Sequence, residues 1–194
     1  MATKSITYFE HSGSGNTEAV LAIVDERLKE GDIKNVVVAS TSGATGVTFA
    51  QALGKKTNLV IISTKPGSKT PGVWEFDPAN EKKIKRLGGR VIRHTHALSG
   101  LEKSFTERFS GISHSEILAE SLKTLFSPGT KVGVEIGIMA LDSGAITLEK
   151  TIVVGGTGAT GRGADTALVV LPAHTNNFFD FHVLEILAKP FTKD

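Results

Sequence analysis

The feature that most constrains this chain is a set of short, β-branched runs that are apolar at consecutive positions rather than at alternate ones. They are "ITYF" (6–9), "NVVVAS" (35–40), "NLVIIST" (58–64), "RVIRHT" (90–95), "TIVVGG" (151–156) and "ALVVLP" (167–172). A strand that is apolar on both faces needs cover on both faces, which is the requirement of a parallel sheet sandwiched by helices. Helix patterns closed by glycine lie between the early runs: "NTEAVLAIVDERLKEG" (16–31), "ATGVTFAQALG" (44–54) and "PANEKKIKRLG" (78–88). Strand, helix, strand at this spacing predicts an α/β fold, a single three-layer domain over 1–194 with a mainly parallel sheet flanked by helices. The middle is richer in helix: 100–109, 113–126, and the apolar stretch "KVGVEIGIMALDSG" (131–144), which reads as a buried helix with a glycine stop. The run "FHVLEILAK" (181–189) fits a closing strand or a helix, and its periodicity does not decide.

Composition removes several function classes. Lys plus Arg number 22 against 20 Asp plus Glu, a net charge of +2 and far from the basic stripe that nucleic-acid binding requires. There is no cysteine, which excludes disulfides, thiolate metal sites and cysteine nucleophiles. No segment has signal-peptide or membrane-span character, so a cytoplasmic protein with no nucleic-acid or membrane partner is expected, self-association being left open.

Three turns rich in small and hydroxyl residues follow predicted strands: 12–17 within "HSGSGNTEAV", 40–46, and 155–163. The last two echo one another, "VVVASTSGATG" (36–46) and "IVVGGTGATG" (152–161), as two similar turns at one edge of a sheet. Ligands of open α/β sheets collect at the carboxyl ends of the strands, so the three turns can converge on one anion. The 41–46 turn is the expected main phosphate cradle, through Thr41, Ser42, Gly43 and Thr45 and the free N–H groups of a helix starting near Ala44 and Gly46. Asn16 and Thr17 would form a neighbouring wall, because Glu10 and His11 make the first turn less inviting to an anion.

Two resemblances bear on whose phosphate this is. "SGSGNT" (12–17) is similar to the phosphate loop of flavodoxins, but over only six residues. "YFE" with Asn16 and Thr17, "VVASTSG" (37–43), "THALSG" (95–100), "GRGADTA" (161–167) and "PAHTNNFFD" (172–180) together resemble a stand-alone archaeal and bacterial family that is similar to the C-terminal α/β domain of pyruvate kinase. That resemblance runs over nearly the whole chain. It implies a pyruvate kinase C-terminal-domain-like fold and FMN as cofactor, members of the family having been found with FMN bound. The catalytic barrel of pyruvate kinase has no counterpart here, so pyruvate kinase activity is not expected. Ala44 stands where a sugar-bisphosphate loop commonly has a basic residue, and the late loop offers only Arg162, too little positive charge for a doubly phosphorylated sugar.

FMN binding through Gly/Ser/Thr-rich strand-end loops, in the service of an oxidoreductase, is the first functional expectation. A regulatory module that senses a phosphometabolite is the alternative. Lys65, directly after the third strand, would reach the phosphate or the flavin edge, and the breaker-rich segment "TKPGSKTPG" (64–72) has the composition of a lid. His96 is a candidate polar contact, and Gly156, Thr157 and Gly158 a second stretch of backbone cradle. Arg162 and Asp165 would hold phosphate and ribityl hydroxyls, or pair with each other. Trp74 and Phe178 are candidate walls for the isoalloxazine ring. His94 and His96, two apart on a strand-like run, would share a face, but with no third ligand at useful spacing no metal is assigned. In "NNFFD" (176–180) the asparagines suit left-handed turn positions and the phenylalanines the core. No Ser, His and acid constellation is apparent, and no catalytic residue is assigned.

Overall fold

The structure, a computed structural model, describes residues 3–157 and 163–191. Seven strands form one sheet in the order β1-β7-β6-β5-β2-β3-β4. They are β1 (Thr7–Phe9), β2 (Asn35–Ala39), β3 (Asn58–Thr64), β4 (Arg90–His94), β5 (Thr151–Gly155), β6 (Thr166–Leu171) and β7 (His182–Pro190). β6 runs antiparallel to both neighbours, and the other pairings are parallel. The open question over 181–189 is thus answered as a strand. β7 is exposed at its start and buried near its end, where it lies between β1 and β6.

Helices are α1 (Thr17–Leu28), α2 (Ala44–Leu53), α3 (Pro78–Arg86), α4 (Glu102–Phe109), α5 (His114–Leu125) and α6 (Pro128–Asp142). The doubly apolar strands are doubly covered. Val36, Val38 and Ile61 pack with Val20 and Val24 of α1, Phe49 and Leu53 of α2 and Ile84 of α3. Val37, Val60 and Ile62, one residue out of phase, pack with Ile136, Met139 and Ala140 of α6 on the other face. The period-2 pleat therefore divides one run, Val36-Val37-Val38, between two cores. α5 lies outside α6.

α6 begins three residues before the apolar stretch that reveals it. Ser127 caps it by accepting from Thr130 N–H, and Pro128 occupies the first turn, where its missing N–H does no harm. Gly144, at φ 66°, ends the turn behind it. The helix also lies unusually close to the sheet. A Cβ on Gly129 would come within 2.1 Å of Thr166 Oγ1, and one on Gly155 within 2.3 Å of Gly129 O. The amino end of α6 is thereby pressed against the carboxyl end of β5.

"NNFFD" departs from expectation. It lies in a 3₁₀ segment, Thr175–Asp180, where Asn177 has φ −118° and not a left-handed value. Phe179 is 93% exposed, so this phenylalanine is not a core residue.

A charged cluster ties α1 to the sheet. Arg27, 7% exposed, makes bonds of 2.7 Å to Asp32 and 2.8 Å to Glu185 on β7. The hydrogen bonds to Glu185 and Asp32 raise the guanidinium above its ordinary range, and those from Arg27 lower both carboxyls. Arg27→Ala leaves the Glu185 charge without its main partner, and a stability loss of about 3 kcal/mol in urea unfolding is expected.

Candidate functional site

The strand order reverses direction between β5 and β2: α2 and α3 lie on one face, while the chain returns through α6 on the other. Such a reversal opens a crevice at the carboxyl ends of the strands. The echoed sequences meet there in register, Val36 opposite Ile152 and Val38 opposite Val154, so the two turns emerge side by side. A cavity of about 450 Å³ lies at this edge.

Ser40, Thr41, Ser42 and Thr45 form its β2–α2 side, and Gly156 and Gly163 the edge from the late loop. Ile62, Ser63 and Thr64 come from β3, Ser68 and Lys69 from the following loop, and Glu75 from the segment after it. Val132, Glu135, Ile136 and Met139 line it at the i, i+3, i+4, i+7 spacing of one helix face of α6. His96 completes it. Two buried polar atoms on this lining, Thr64 Oγ1 and Glu75 Oε1, have no hydrogen-bond partner among the described residues. Buried polar atoms are normally satisfied, so these two mark where a polar ligand group or ordered water is needed.

The β2–α2 turn is held from outside. Ser42 O accepts from Asp77 N–H and from Asn80 Nδ2, and Ser40 Oγ accepts from Gly46 N–H. Gly43 has φ 89°, and a Cβ there would lie 2.7 Å from Asn80 Cβ and from the Phe76 ring. Its lack of a side chain serves packing against α3, since neither Gly43, Ala44 nor Gly46 lines the cavity. A Cβ on Gly46 would approach Ile61 within 2.9 Å.

The first turn is placed differently. Asn16 Nδ2 donates to His11 O, and Thr17 Oγ1 donates to Ser14 O while accepting from Ala164 N–H. A Cβ on Gly163 would collide with Ser14 and Thr17. The turn is a buttress behind the late loop, and none of its residues lines the cavity. Asp165 joins them. Its Oδ2 accepts from Gly13 and Thr157 N–H and its Oδ1 from Thr166 Oγ1, with burial raising its carboxyl. It is fully buried, and its contacts serve the scaffold. Gly158 and Arg162 lie outside the described residues, as do the intervening ones.

Lys65 is exposed and off the cavity, and Lys69 takes the place on it. The ring of Trp74 is already covered. It stacks on Phe76 at 4.9 Å, carries the Arg93 guanidinium 3.5 Å from its centre, and donates to Ser63 Oγ and Thr64 O. Phe178 follows β6, whose antiparallel course carries it to the opposite edge of the sheet. Neither of these aromatic residues is on the cavity. His94 ends β4 and bonds locally to Thr95 O, whereas His96 turns to α6, so the two imidazoles do not converge.

The residue that sequence reading passed over is Glu135, the acid within the apolar run at 131–144. It is 1% exposed. Oε1 accepts from Leu98 N–H at 3.0 Å, and Oε2 meets His96 Nδ1 at 2.9 Å and Lys131 Nζ at 2.6 Å. Burial alone would raise this carboxyl, but the His96 hydrogen bond and the charges of Lys131 and His96 outweigh it and hold it down at about 2. A lone acid in a buried helix face is the signal that would have found it, because such a charge requires partners.

No family model matches the chain. Over 99 residues, 47% of this chain, it is 28% identical to the signal recognition particle receptor FtsY of Buchnera aphidicola subsp. Acyrthosiphon pisum (strain APS). The match spans 26% of that relative's length. Among the described residues no helix is long and apolar enough to cross a membrane, and no three His, Asp or Glu side chains gather as metal ligands.

Glu135 has a folded-state pKa below its ordinary value of 4.5, so its contribution to stability is present above about pH 4.5 and is lost as pH falls toward 2. The depressed Asp32 and Glu185 act in the same direction. Urea midpoints of wild type should fall between pH 5 and pH 2.5, and those of Glu135→Gln should fall less steeply over that window.

Proposed function

We propose that the chain binds FMN in this cavity, with the phosphate at the β2–α2 turn. The observation that carries the reading is a cavity at the sheet's reversal point that joins a hydroxyl-rich turn at a helix amino end to an aliphatic wall. The N–H groups of the first helical turn have no intrahelical acceptor, and the helix dipole favours an anion beside them. Gly46 N–H is taken by Ser40 Oγ, so the N–H of Thr45, the first-turn residue that lines the cavity, is the backbone donor toward a phosphate, with the hydroxyls of Thr41, Ser42 and Thr45. Lys69 adds a cation on the same cavity.

The residues fit the rest of a flavin nucleotide. Ile62, Val132, Ile136 and Met139 offer an apolar wall for a flat ring, which takes over the role first considered for Trp74 and Phe178. Thr64 Oγ1 and Glu75 Oε1 are acceptors for the hydroxyls of a polyol chain. The volume lies within the roughly 300–1,000 Å³ range of small-molecule sites. A bound flavin supplies redox chemistry itself, and the protein's part is to hold and orient it. An oxidoreductase role then requires that a nicotinamide donor reduce the bound flavin. The likeness of the chain to the stand-alone family similar to the pyruvate kinase C-terminal domain, by residues such as those at 37–43 and 95–100, supports the same ligand.

Titration with FMN, followed by quenching of flavin fluorescence, tests the reading. Thr45→Ala and Thr41→Ala should each weaken binding by roughly 1.5–3 kcal/mol, the range for a hydrogen bond to a charged oxygen. Ser14→Ala should leave affinity within about twofold, since Ser14 stands behind the late loop. Gly43→Val is unsuited to the purpose, because its side chain strikes Phe76 and Asn80 rather than the ligand. A wild-type protein that ignores FMN and takes up a sugar phosphate in calorimetry would replace the flavin reading with the regulatory one.

Ser68 and Lys69 bring the 64–72 loop to the cavity rim, and its base is closed by Gly67 N–H donating to Val73 O. Trypsin cleavage after Lys69 should slow at saturating FMN, and equal rates would remove the loop from any covering role.

A further inference from the structure

An ionised carboxylate accepts hydrogen bonds and donates none. Glu135 is held ionised, so the bond of 2.9 Å to His96 requires the proton on Nδ1 of the imidazole. A neutral His96 then carries its lone pair on Nε2. The Nδ1 edge of the ring is turned toward a residue that is 1% exposed, while the side chain as a whole is 39% exposed and lines the cavity. The Nε2 edge therefore faces the cavity. The carboxylate cannot swing away, because Leu98 N–H holds its other oxygen and Lys131 shares the bonded one.

We propose that His96 is the proton-transfer group of this cavity, with Glu135 as the positioning residue that sets its tautomer and charge balance. The ligand class is a phosphorylated compound with an acidic O–H, N–H or C–H group. In the step, the ligand's X–H bond breaks, its electron pair stays on the ligand, and the proton forms an Nε2–H bond. The resulting imidazolium stands against the Glu135 carboxylate. The proton returns to the ligand at another atom or leaves by the exposed side of the ring. The charged or titratable groups around it are Glu135 and Lys131 from α6, Lys69 and Glu75 across the cavity, and His94, which is bonded to Thr95 O. Lys131 keeps the carboxylate from drawing the proton fully off the ring's Nδ1 side, by sharing the same oxygen. The inference rests on the reading of the cavity as the ligand site, not on the ligand being a flavin.

The imidazole nitrogen spectrum of His96 in ¹⁵N-labelled protein without ligand is the first test. The Nδ1–H tautomer is expected, and a predominant Nε2–H tautomer overturns the proposal. In Glu135→Gln the amide oxygen takes over the Leu98 N–H, and its NH₂ faces Nδ1, so the tautomer should flip to Nε2–H. A folded Glu135→Gln protein with the wild-type tautomer also overturns it. Where that variant fails to fold, Lys131→Met retains the carboxylate and must keep the Nδ1–H form; loss of that form counts against the proposal. Saturation with FMN should then shift the Nε2 resonance. FMN that binds by fluorescence yet leaves Nε2 unmoved sinks the proton-transfer role and spares the binding role. If FMN does not bind, the binding reading falls, and the tautomer measurements alone decide for or against His96.

Discussion

Burial of β2, β3 and β5 on both faces is the constraint on which the rest of the structure depends. Once Val36 and Val38 belong to one core and Val37 to the other, each face must carry helices, and every parallel neighbour must be reached by a crossover. Crossovers bring all the carboxyl ends to one edge. The chain moves outward from β2 to β4 through helices on one face and returns to β5 beneath α6 on the other, so the edge must open where β5 meets β2. The cavity follows from connectivity, before any side chain specifies it. β6 modifies this plan. Being antiparallel, it brings its start to that edge, which is why Asp165, immediately before it, sits among the strand-end turns.

Two buried carboxylates divide the labour at that edge, and their hydrogen bonds show how. Among the described residues Asp165 receives neutral donors, two backbone N–H groups and a hydroxyl, and burial prevails over them. It locks Gly13 and Thr157 together and so makes the first turn part of the frame. Glu135 receives a lysine and an imidazole besides a backbone N–H, and these prevail over burial. Neutral partners suit a fixed joint. A lysine and a titratable imidazole on the cavity surface suit a group whose state is felt by a ligand.

Much of the architecture was legible because it depends on local pattern. β-Branched runs located six strands, and the echo of 36–46 in 152–161 predicted a common edge for two turns, which the register of β2 on β5 bears out. The seventh strand was ambiguous because "FHVLEILAK" changes from exposed to buried along its length, and only its neighbours in the sheet settle its form. Phe179 was misjudged because residue type states a preference for burial, while its 3₁₀ segment turns it outward. In the site, the 41–45 turn could be read because its residues are contiguous. The pairing of Glu135 with His96 spans 39 residues and depends on how α6 is pressed onto the sheet, a consequence of Gly129, Gly133 and Gly155 that no single stretch displays. Lys65 and Lys69 differ only in how the intervening turn is folded, and composition cannot distinguish them.

The lining also limits what the cavity can hold. An anion at the β2–α2 turn gains from N–H groups, hydroxyls and Lys69, but the same cavity contains Glu75, whose buried Oε1 has no donor among the described residues, and Glu135, whose charge is already paired with Lys131. A second phosphate would confront an acceptor that needs a donor, and like charges this close in a partly desolvated site repel strongly. A ligand with one phosphate, hydroxyl donors and an apolar face meets each part of the lining with its complement. Under the proposed reading of the cavity, the balance of charge within it, more than its size, is what would separate a mononucleotide from a bisphosphorylated sugar.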